Sequence, residues 1–222
     1  MIRSLMDVMG LVDEYSRYLQ GRGFGFDDHG FPAFRKDMFL EEWPELVVPY
    51  KHRADSFVTR PERTALCFYC ADELIYPRLE KVLGELSVYR GFLAVVGSDV
   101  TVTDDMDFEW QGEIMLLNQL FTAVLAANGI KVVANIRSGG ERSEEYLSCI
   151  PKGVACVSGF LGCRTASSRC DFRYVSKVLG VRPSKLLLYG RRDRIVEEQL
   201  TTLGVPWRAY PHVRGMCFGD AS

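Results

Sequence analysis

Residues 91–136 read GFLAVVGSDVTVTDDMDFEWQGEIMLLNQLFTAVLAANGIKVVANI. The segment opens on a continuous apolar run from Gly91 to Val96, too short for a helix and without the polar alternation of a half-exposed strand. Gly97-Ser98-Asp99 interrupts it. Trp110 to Asn128 then reads as the longest helix of the chain, ended by Asn128-Gly129, and Lys131 to Ile136 is a second apolar run. Strand, helix, strand is a β-α-β unit. Its right-handed crossover makes the two strands parallel and brings their C-terminal ends to one edge of the sheet.

The same rhythm extends in both directions. Upstream, Leu46-Val47-Val48-Pro49-Tyr50 reads as a short strand, Ala65 to Ala71 as a second, and Tyr76 to Leu86 as a helix with Leu79, Val82, Leu83 and Leu86 on one side. Downstream, Arg137-Ser138-Gly139-Gly140 leads into a helix through Cys149. Gly153 to Ser158, Lys185 to Tyr189 and Trp207 to Tyr210 follow as strands, separated by helices over Asp171–Leu179 and Asp193–Leu203. About seven parallel strands are one fewer than a full eight-strand barrel. The pattern predicts an α/β fold, a partial or irregular (β/α) barrel, with an open doubly wound sheet as the alternative. The barrel is favoured because every loop after a strand carries polar residues, whereas an open sheet gathers them at one switch point.

Before this core, Ser4 to Gln20 places Leu5, Met9, Val12 and Leu19 near one helical face, and Gly21, Gly23 and Gly25 end it. No hydrophobic strand precedes those glycines, so they read as a linker and not a phosphate loop. Phe31 to Pro44 interleaves Phe31, Phe34, Phe39 and Trp43 with Arg35, Lys36 and Glu41. Such a mixture can stack bases, but it reads here as a cover packed on the outside of the sheet. Residues 1–44 are thus expected to form an N-terminal helix and cover, and 45–222 a repeating core, in a single domain.

Composition narrows the class further. The 222 residues are 47% hydrophobic and 25% charged with a formal net charge of −2, values of an ordinary globular domain. That charge gives no general attraction to nucleic acid, although it leaves a local basic patch open. No apolar stretch reaches signal-peptide or membrane-span character, and the seven cysteines sit mostly within predicted strands and helices. Both features point to a reducing compartment, the cytoplasm.

In either architecture the C-terminal strand ends form the site. They carry Asp72, Asp99 with Thr101, Arg137 to Arg142, Ser158-Gly159, Tyr189-Gly190-Arg191 and His212. Asp99 emerges from an apolar run, where a carboxylate can serve as general base, nucleophile or ligand, or else cap a turn or pair with Arg137. Glycines in Arg137-Ser138-Gly139-Gly140-Glu141-Arg142 let backbone N–H groups approach an anion at a helix start, or simply make a tight turn. The loop has neither Walker nor dinucleotide spacing, and no cofactor is named by any motif. Tyr189-Gly190-Arg191-Arg192 repeats the pattern, with Arg191 placed to complete an anion pocket. Asp104, Asp105 and Asp107 precede a helix and read as N-terminal caps.

The thiols do not converge. Cys67 and Cys70 lie three apart on a strand and point to opposite faces, and Cys149, Cys156, Cys163 and Cys170 fall on different elements. Neither a metal centre nor a disulfide is expected. Of His29, His52 and His212, only the last is placed to act as acid or base.

Several of these pieces form a larger pattern: Ser98-Asp99-Val100-Thr101 with Asp105-Met106, then Asn118, then Gly129-Ile130-Lys131-Val132. Asn135-Ile136-Arg137-Ser138-Gly139-Gly140-Glu141-Arg142-Ser143 is its centre, followed by Ile150-Pro151-Lys152-Gly153 and Val157 through Gly162-Cys163, with an echo at Leu188-Tyr189-Gly190. The stretch from Phe92 to Cys163 thereby resembles a bacterial domain family of unknown function commonly seen in phages and mobile elements. The resemblance covers the middle third of the chain strongly and much of the rest loosely. That family usually has Trp where this chain has Ser138, and Asp where it has Gly140. The resemblance implies a special rank for Asp99, Asn118, Arg137 and Glu141.

Taken together, the expectation is an enzyme acting on a nucleotide, a nucleobase or another phosphorylated small molecule. Asp99 and Glu141 are its catalytic candidates. Asp72, Asn118, Asn135, Arg137, Ser138, Gly139, Gly140, Arg142, Tyr189, Gly190 and Arg191 are its substrate-binding candidates. The rival is a non-catalytic nucleotide-sensing or interaction protein of a phage or mobile element.

Overall fold

The computed structural model describes residues 4–160 and 172–213. Its strands in chain order are β1 (Leu46–Pro49), β2 (Thr64–Cys67), β3 (Ala94–Val96), β4 (Val132–Asn135), β5 (Ala155–Phe160), β6 (Lys185–Gly190) and β7 (Trp207–Tyr210). The α-helices are α1 (Leu5–Gly21), α2 (Asp72–Lys81), α3 (Leu86–Arg90), α4 (Phe108–Ala127), α5 (Phe172–Val181) and α6 (Arg194–Thr202). Neighbouring strands are parallel throughout and lie side by side in chain order, so the C-terminal ends of all of them share one rim.

The two faces of this sheet are buried differently, and the difference decides between barrel and open sheet. One face carries Leu66, Phe68, Val95, Val132, Cys156, Leu186 and Leu188 and packs against apolar side chains of α1, α2, α4, α5 and α6. The other carries Val47, Ala65, Cys67, Ala94, Val96, Val133, Ala155, Val157 and Leu187. It packs on itself, with no helix residue in its cluster. A sheet that buries one face against its own far side is a nearly closed barrel. Rings from β6 and the end of β2 meet across it: Tyr69 and Tyr189 stack with centroids 5.4 Å apart. Seven strands form the wall, as the strand–helix rhythm implies, and the doubly wound alternative is excluded.

The floor is built by the segment expected to cover the outside. Phe31, Phe34 and Phe39 do join the outer core. From there, however, the chain turns under the barrel. Phe39 bridges Val132 at the base of β4, and Leu40 enters the interior cluster. Lys185 of β6 bonds the Glu41 carbonyl. Trp43 receives Lys185 and Arg208 over its ring at 5.1 and 4.7 Å. The Tyr210 hydroxyl then donates to the Pro44 carbonyl at 2.9 Å, across the seam between β7 and the start of β1.

Element boundaries shift in several places. The second strand stops at Cys67 instead of continuing to Ala71, because the Cys70 amide turns back to the Phe68 carbonyl at 2.7 Å. The helix expected from Tyr76 begins at Asp72 and passes through a 3-10 turn at Val82–Glu85 into α3, and the segment Arg142–Cys149 is a 3-10 helix, not an α-helix. Cys163 and Cys170, like Asp171 at the expected start of α5, lie outside the described residues.

α1 is capped at its start by Ser4, whose hydroxyl accepts from the Asp7 amide at 3.3 Å, and it packs along α4. α4 itself is buried on most sides. No helix among the described residues is long and apolar enough to cross a membrane.

Leu40 is 4% exposed at the base of the interior. Leu40→Ala should therefore destabilise the fold by about 2–5 kcal/mol, the range for an unrefilled core cavity. A urea unfolding midpoint equal to that of the wild type would show that the floor is not held by this side chain.

Candidate functional site

The strand rim gathers one charged pair above the apolar interior. Asp99 lies three residues past β3 and is 7% exposed. Its Oδ1 accepts from Asn135 Nδ2 at 2.9 Å and its Oδ2 from Arg137 Nη1 at 3.2 Å. Strand parity explains the partners. Val133 faces inward, so Asn135 and Arg137, two and four residues on, emerge at the rim on the same side. Asn135 also donates to the Ser98 carbonyl at 3.1 Å, and its Oδ1 accepts from the Tyr69 hydroxyl at 3.2 Å. Tyr69 lies flat against β5, where a Cβ on Gly159 would come within 2.6 Å of the ring, so only glycine fits there.

Burial raises the Asp99 carboxyl from its ordinary value to about 6, while Arg137 and Asn135 hold it down. The sign is informative. Even with a guanidinium in contact, desolvation wins, so the charged form of Asp99 is a net cost to the fold. Arg137 keeps a third of its side chain, 33%, in contact with solvent. Burial also raises the Tyr69 hydroxyl well above its usual range and pushes the Cys70 thiol up to about 11, with Lys51 opposing the latter. The Cys67 and Cys156 thiols are raised by burial too. These cysteines therefore stay protonated at neutral pH and are poor nucleophiles.

The remaining candidates separate into those that serve the chain and those that lie elsewhere. Asp72, the first residue of α2, accepts from the Thr101 amide at 3.1 Å and from its hydroxyl at 3.0 Å, tying α2 to the loop after β3. Asn118 of α4 accepts from Ser98 Oγ at 2.7 Å and the Val100 amide at 3.1 Å, and donates to the Val100 carbonyl at 3.3 Å. Its amide clamps the loop that carries Asp99.

The glycine loop does not offer its amides as a phosphate cradle. Gly139 and Gly140 donate to Ser143 Oγ at 3.0 and 2.9 Å, and that hydroxyl returns a bond to the Gly140 carbonyl. Gly139 is needed for close packing, since a Cβ there would meet Gln111 Oε1 at 2.5 Å. Close packing explains Gly139, and a Cβ on Gly140 would approach Asp104 Cβ at 3.1 Å, whereas neither residue adopts a positive φ that would demand glycine for the turn. Ser138 is half-buried beside them.

Glu141 does not join Asp99 and Arg137. It lines a separate cleft of about 410 Å³ with Asp104, Phe108, Gln111 and Arg142, and the Arg142 guanidinium lies 4.1 Å over the Phe108 ring. Asp107 stands at the N-cap of α4 without a side-chain capping bond, and Asp105 accepts from Thr103 instead of capping the helix. Tyr189 is fully buried inside the barrel, with the His212 ring centred 6.0 Å away. Gly190 adopts φ +112°, a conformation that favours glycine, and Arg191 is exposed. Among the described residues no three Asp, Glu, His or Cys side chains gather as a metal site. Cys67 faces the interior and Cys70 packs against the outer core.

Three participants escaped the sequence reading. Tyr69 was hidden inside the Cys67–Cys70 pair, yet it shares the inward parity of Cys67. Ser143 closed the loop pattern without an assigned role. Gln119 lies on α4 next to Asn118 and is 6% exposed. Polar side chains on a helix buried this completely were the available signal. Comparison with protein-family models, curated proteins and solved structures finds no match for the chain.

Two outcomes follow from this geometry. Ser143→Ala removes the acceptor of two loop amides and should cost about 1–3 kcal/mol, with faster hydrogen exchange at Gly139 and Gly140. Exchange unchanged at both would remove the turn's assigned anchor. Asp99 contributes with the opposite sign to an ordinary carboxylate. Its folded value lies above its unfolded one, so its contribution is full below about pH 4 and is lost as pH rises through 6, by up to about 3 kcal/mol. Asp99→Asn should therefore gain stability relative to wild type between pH 4.5 and pH 8 in thermal melts. A gap that does not change with pH would contradict the raised value.

Proposed function

We propose that this chain is an enzyme that moves a proton on an anionic small molecule at the rim of the barrel, with Asp99 as the acid–base group and Arg137 as the anion-holding one. The observation that carries the reading is the buried Asp99 carboxyl, raised to about 6 while in contact with Arg137, at the C-terminal strand ends. A carboxyl in that range exchanges its proton near neutral pH, which is what general acid–base catalysis needs. The fold retains it at a cost, as active sites often do. Arg137 has one described hydrogen bond and an exposed side, so it can pair with an anion above the rim without releasing Asp99.

The molecule is nucleotide-like or otherwise phosphorylated in this reading, and the support is Arg137, with Lys51, two residues past β1, close enough to Cys70 to act on its thiol. The glycine amides lend nothing to it, and Glu141 is left out of the chemistry because its cleft is a different one. The resemblance over Phe92–Cys163 supports an origin in a phage or mobile element, and the protonated thiols are compatible with a cytoplasmic setting.

A thermal-shift panel of nucleotides, nucleosides and sugar phosphates tests this reading directly, because a ligand of the folded state raises the melting temperature by mass action. At least one phosphorylated member should stabilise the wild type by several degrees, and Arg137→Gln should abolish that shift. Conversion of that ligand should fall by at least about a hundredfold in Asp99→Asn, as for loss of a general acid or base. A panel without a single shift would remove the substrate class. A bound ligand that is never converted would favour a sensing role over an enzymatic one.

A further inference from the structure

The cleft at the start of α4 has a volume of about 410 Å³ and is walled by Asp104, Asp107, Phe108, Gln111, Glu141 and Arg142. Clefts of about 300–1,000 Å³ take small organic ligands. The polar groups of this wall are mostly acceptors. Asp107 and Glu141 make no side-chain hydrogen bond and no ion pair among the described residues. Gln111 is 6% exposed, and its Nε2 donates to the Met106 carbonyl at 2.9 Å. A carbonyl can only accept, so that bond fixes which end of the amide is which. Oε1 is left buried and without a hydrogen-bond partner among the described residues. Buried acceptors are seldom left so, and this one calls for a donor.

Three carboxylates and an orphaned amide oxygen suit a ligand that brings positive charge and N–H groups. The carboxylates are spread around the cleft: among the described residues no three Asp, Glu, His or Cys side chains are placed to share a metal ion. Spread acceptors match spread donors. A guanidinium carries only N–H donors, set in one plane, and it stacks on aromatic faces. Phe108 supplies such a face. Its ring stacks on Tyr146 with centroids 5.5 Å apart, and the Arg142 guanidinium lies 4.1 Å over it. Arg142 is exposed and makes no hydrogen bond or ion pair among the described residues, so the ring contact alone holds it there.

We propose that this cleft binds a small guanidinium compound, and that Arg142 keeps its place on the ring until it arrives. The ligand stacks on Phe108, sets its charge against Asp107 and Glu141 and, as Arg142 swings out to solvent, gives an N–H to the Gln111 oxygen. The volume fits a whole small molecule and not only the tip of a protein side chain. None of the walling residues belongs to the Asp99–Arg137 pair or its Asn135 partner, so this site stands or falls apart from the chemistry proposed at the rim.

The test uses the full chain at physiological ionic strength, where diffuse attraction between charges is screened. The probe is argininamide, which lacks the carboxylate that an acidic wall would repel. An NMR titration should show saturable binding with a Kd of about 1 mM or below, and the side-chain amide of Gln111 should be among the resonances that move. Citrullinamide keeps the shape without the charge and should bind at least about tenfold more weakly. Lysinamide, whose ammonium has no plane to stack, should also be weaker. Glu141→Gln, at an exposed position, should weaken argininamide by up to about fivefold, and Arg142→Ala should tighten it. A capped Gly-Arg-Gly peptide should bind more weakly than argininamide. No saturation by about 10 mM, or equal binding of citrullinamide, overturns the proposal. Equal binding of the peptide overturns the assignment to a small molecule in favour of an arginine on a protein chain. An unchanged affinity in Arg142→Ala overturns the placeholder role, and an unmoved Gln111 resonance removes its oxygen from the site.

Discussion

A wall of seven strands encloses less room than one of eight, and the rest of the molecule follows from how that interior is filled. The inward positions of β2, β3 and β5 include Ala65, Cys67, Ala94 and Ala155, while β2 carries Leu66 and, just past its end, Phe68 on the outward side. Apart from Leu187 of β6 and the valines, bulk reaches the interior from its ends. Leu40 rises from the floor, and the rings of Tyr69 and Tyr189 stack near the rim, with Gly159 leaving the first of them space. Because the rings close the upper layer, the next inward-facing positions of β4 and its loop, Asn135 and Arg137, stand above a sealed apolar plug. Asp99 is drawn down to meet them.

α4 is the second determinant. A helix buried on nearly every side leaves its polar residues nothing but the chain itself to bond, and they organise the loops at the rim. Asn118 holds the turn after β3, Thr122 bonds back to the Asn118 carbonyl within the helix, and the Gln111 amide holds the Met106 carbonyl at 2.9 Å. Polar loops at strand ends thus have two customers, a ligand and the loops themselves. In this chain the second takes Asp72, Asn118 and Ser143. What is left with unspent chemistry is the pair whose electrostatics do not balance.

This division explains how much could be read beforehand. The strand cores and the long helix were legible because apolar periodicity is local. So was the rim as the place where polar residues collect, because chain direction and crossover hand determine it. The barrel was a preference and not a deduction, since strands buried on both faces show the same apolar run whether helices cover one face or two. The size contrast between Ala65 and Leu66, or Ala94 and Val95, was the overlooked clue. The glycine loop misled for a different reason. An amide that awaits an anion and one that awaits a serine three residues on look identical until the turn is seen. Glu141 was separated from Asp99 by the same turn, which sends residues 141–142 into a cleft at the start of α4.

The strip beneath the barrel also has a meaning for how the molecule comes into being. Its bonds join positions 144 and 166 residues apart along the chain, from Glu41 to Lys185 and from Pro44 to Tyr210. Contacts of such long sequence separation are costly to form early and are usually made late. A chain still being synthesised can pair its first strands and dock α1 on α4, yet it cannot seal the base until the last strand has been made. Until then the small inner side chains and the edges of β1 and β6 stay open to the wrong partner, so the period between the fourth strand and the seventh is when this protein is most exposed to misassembly.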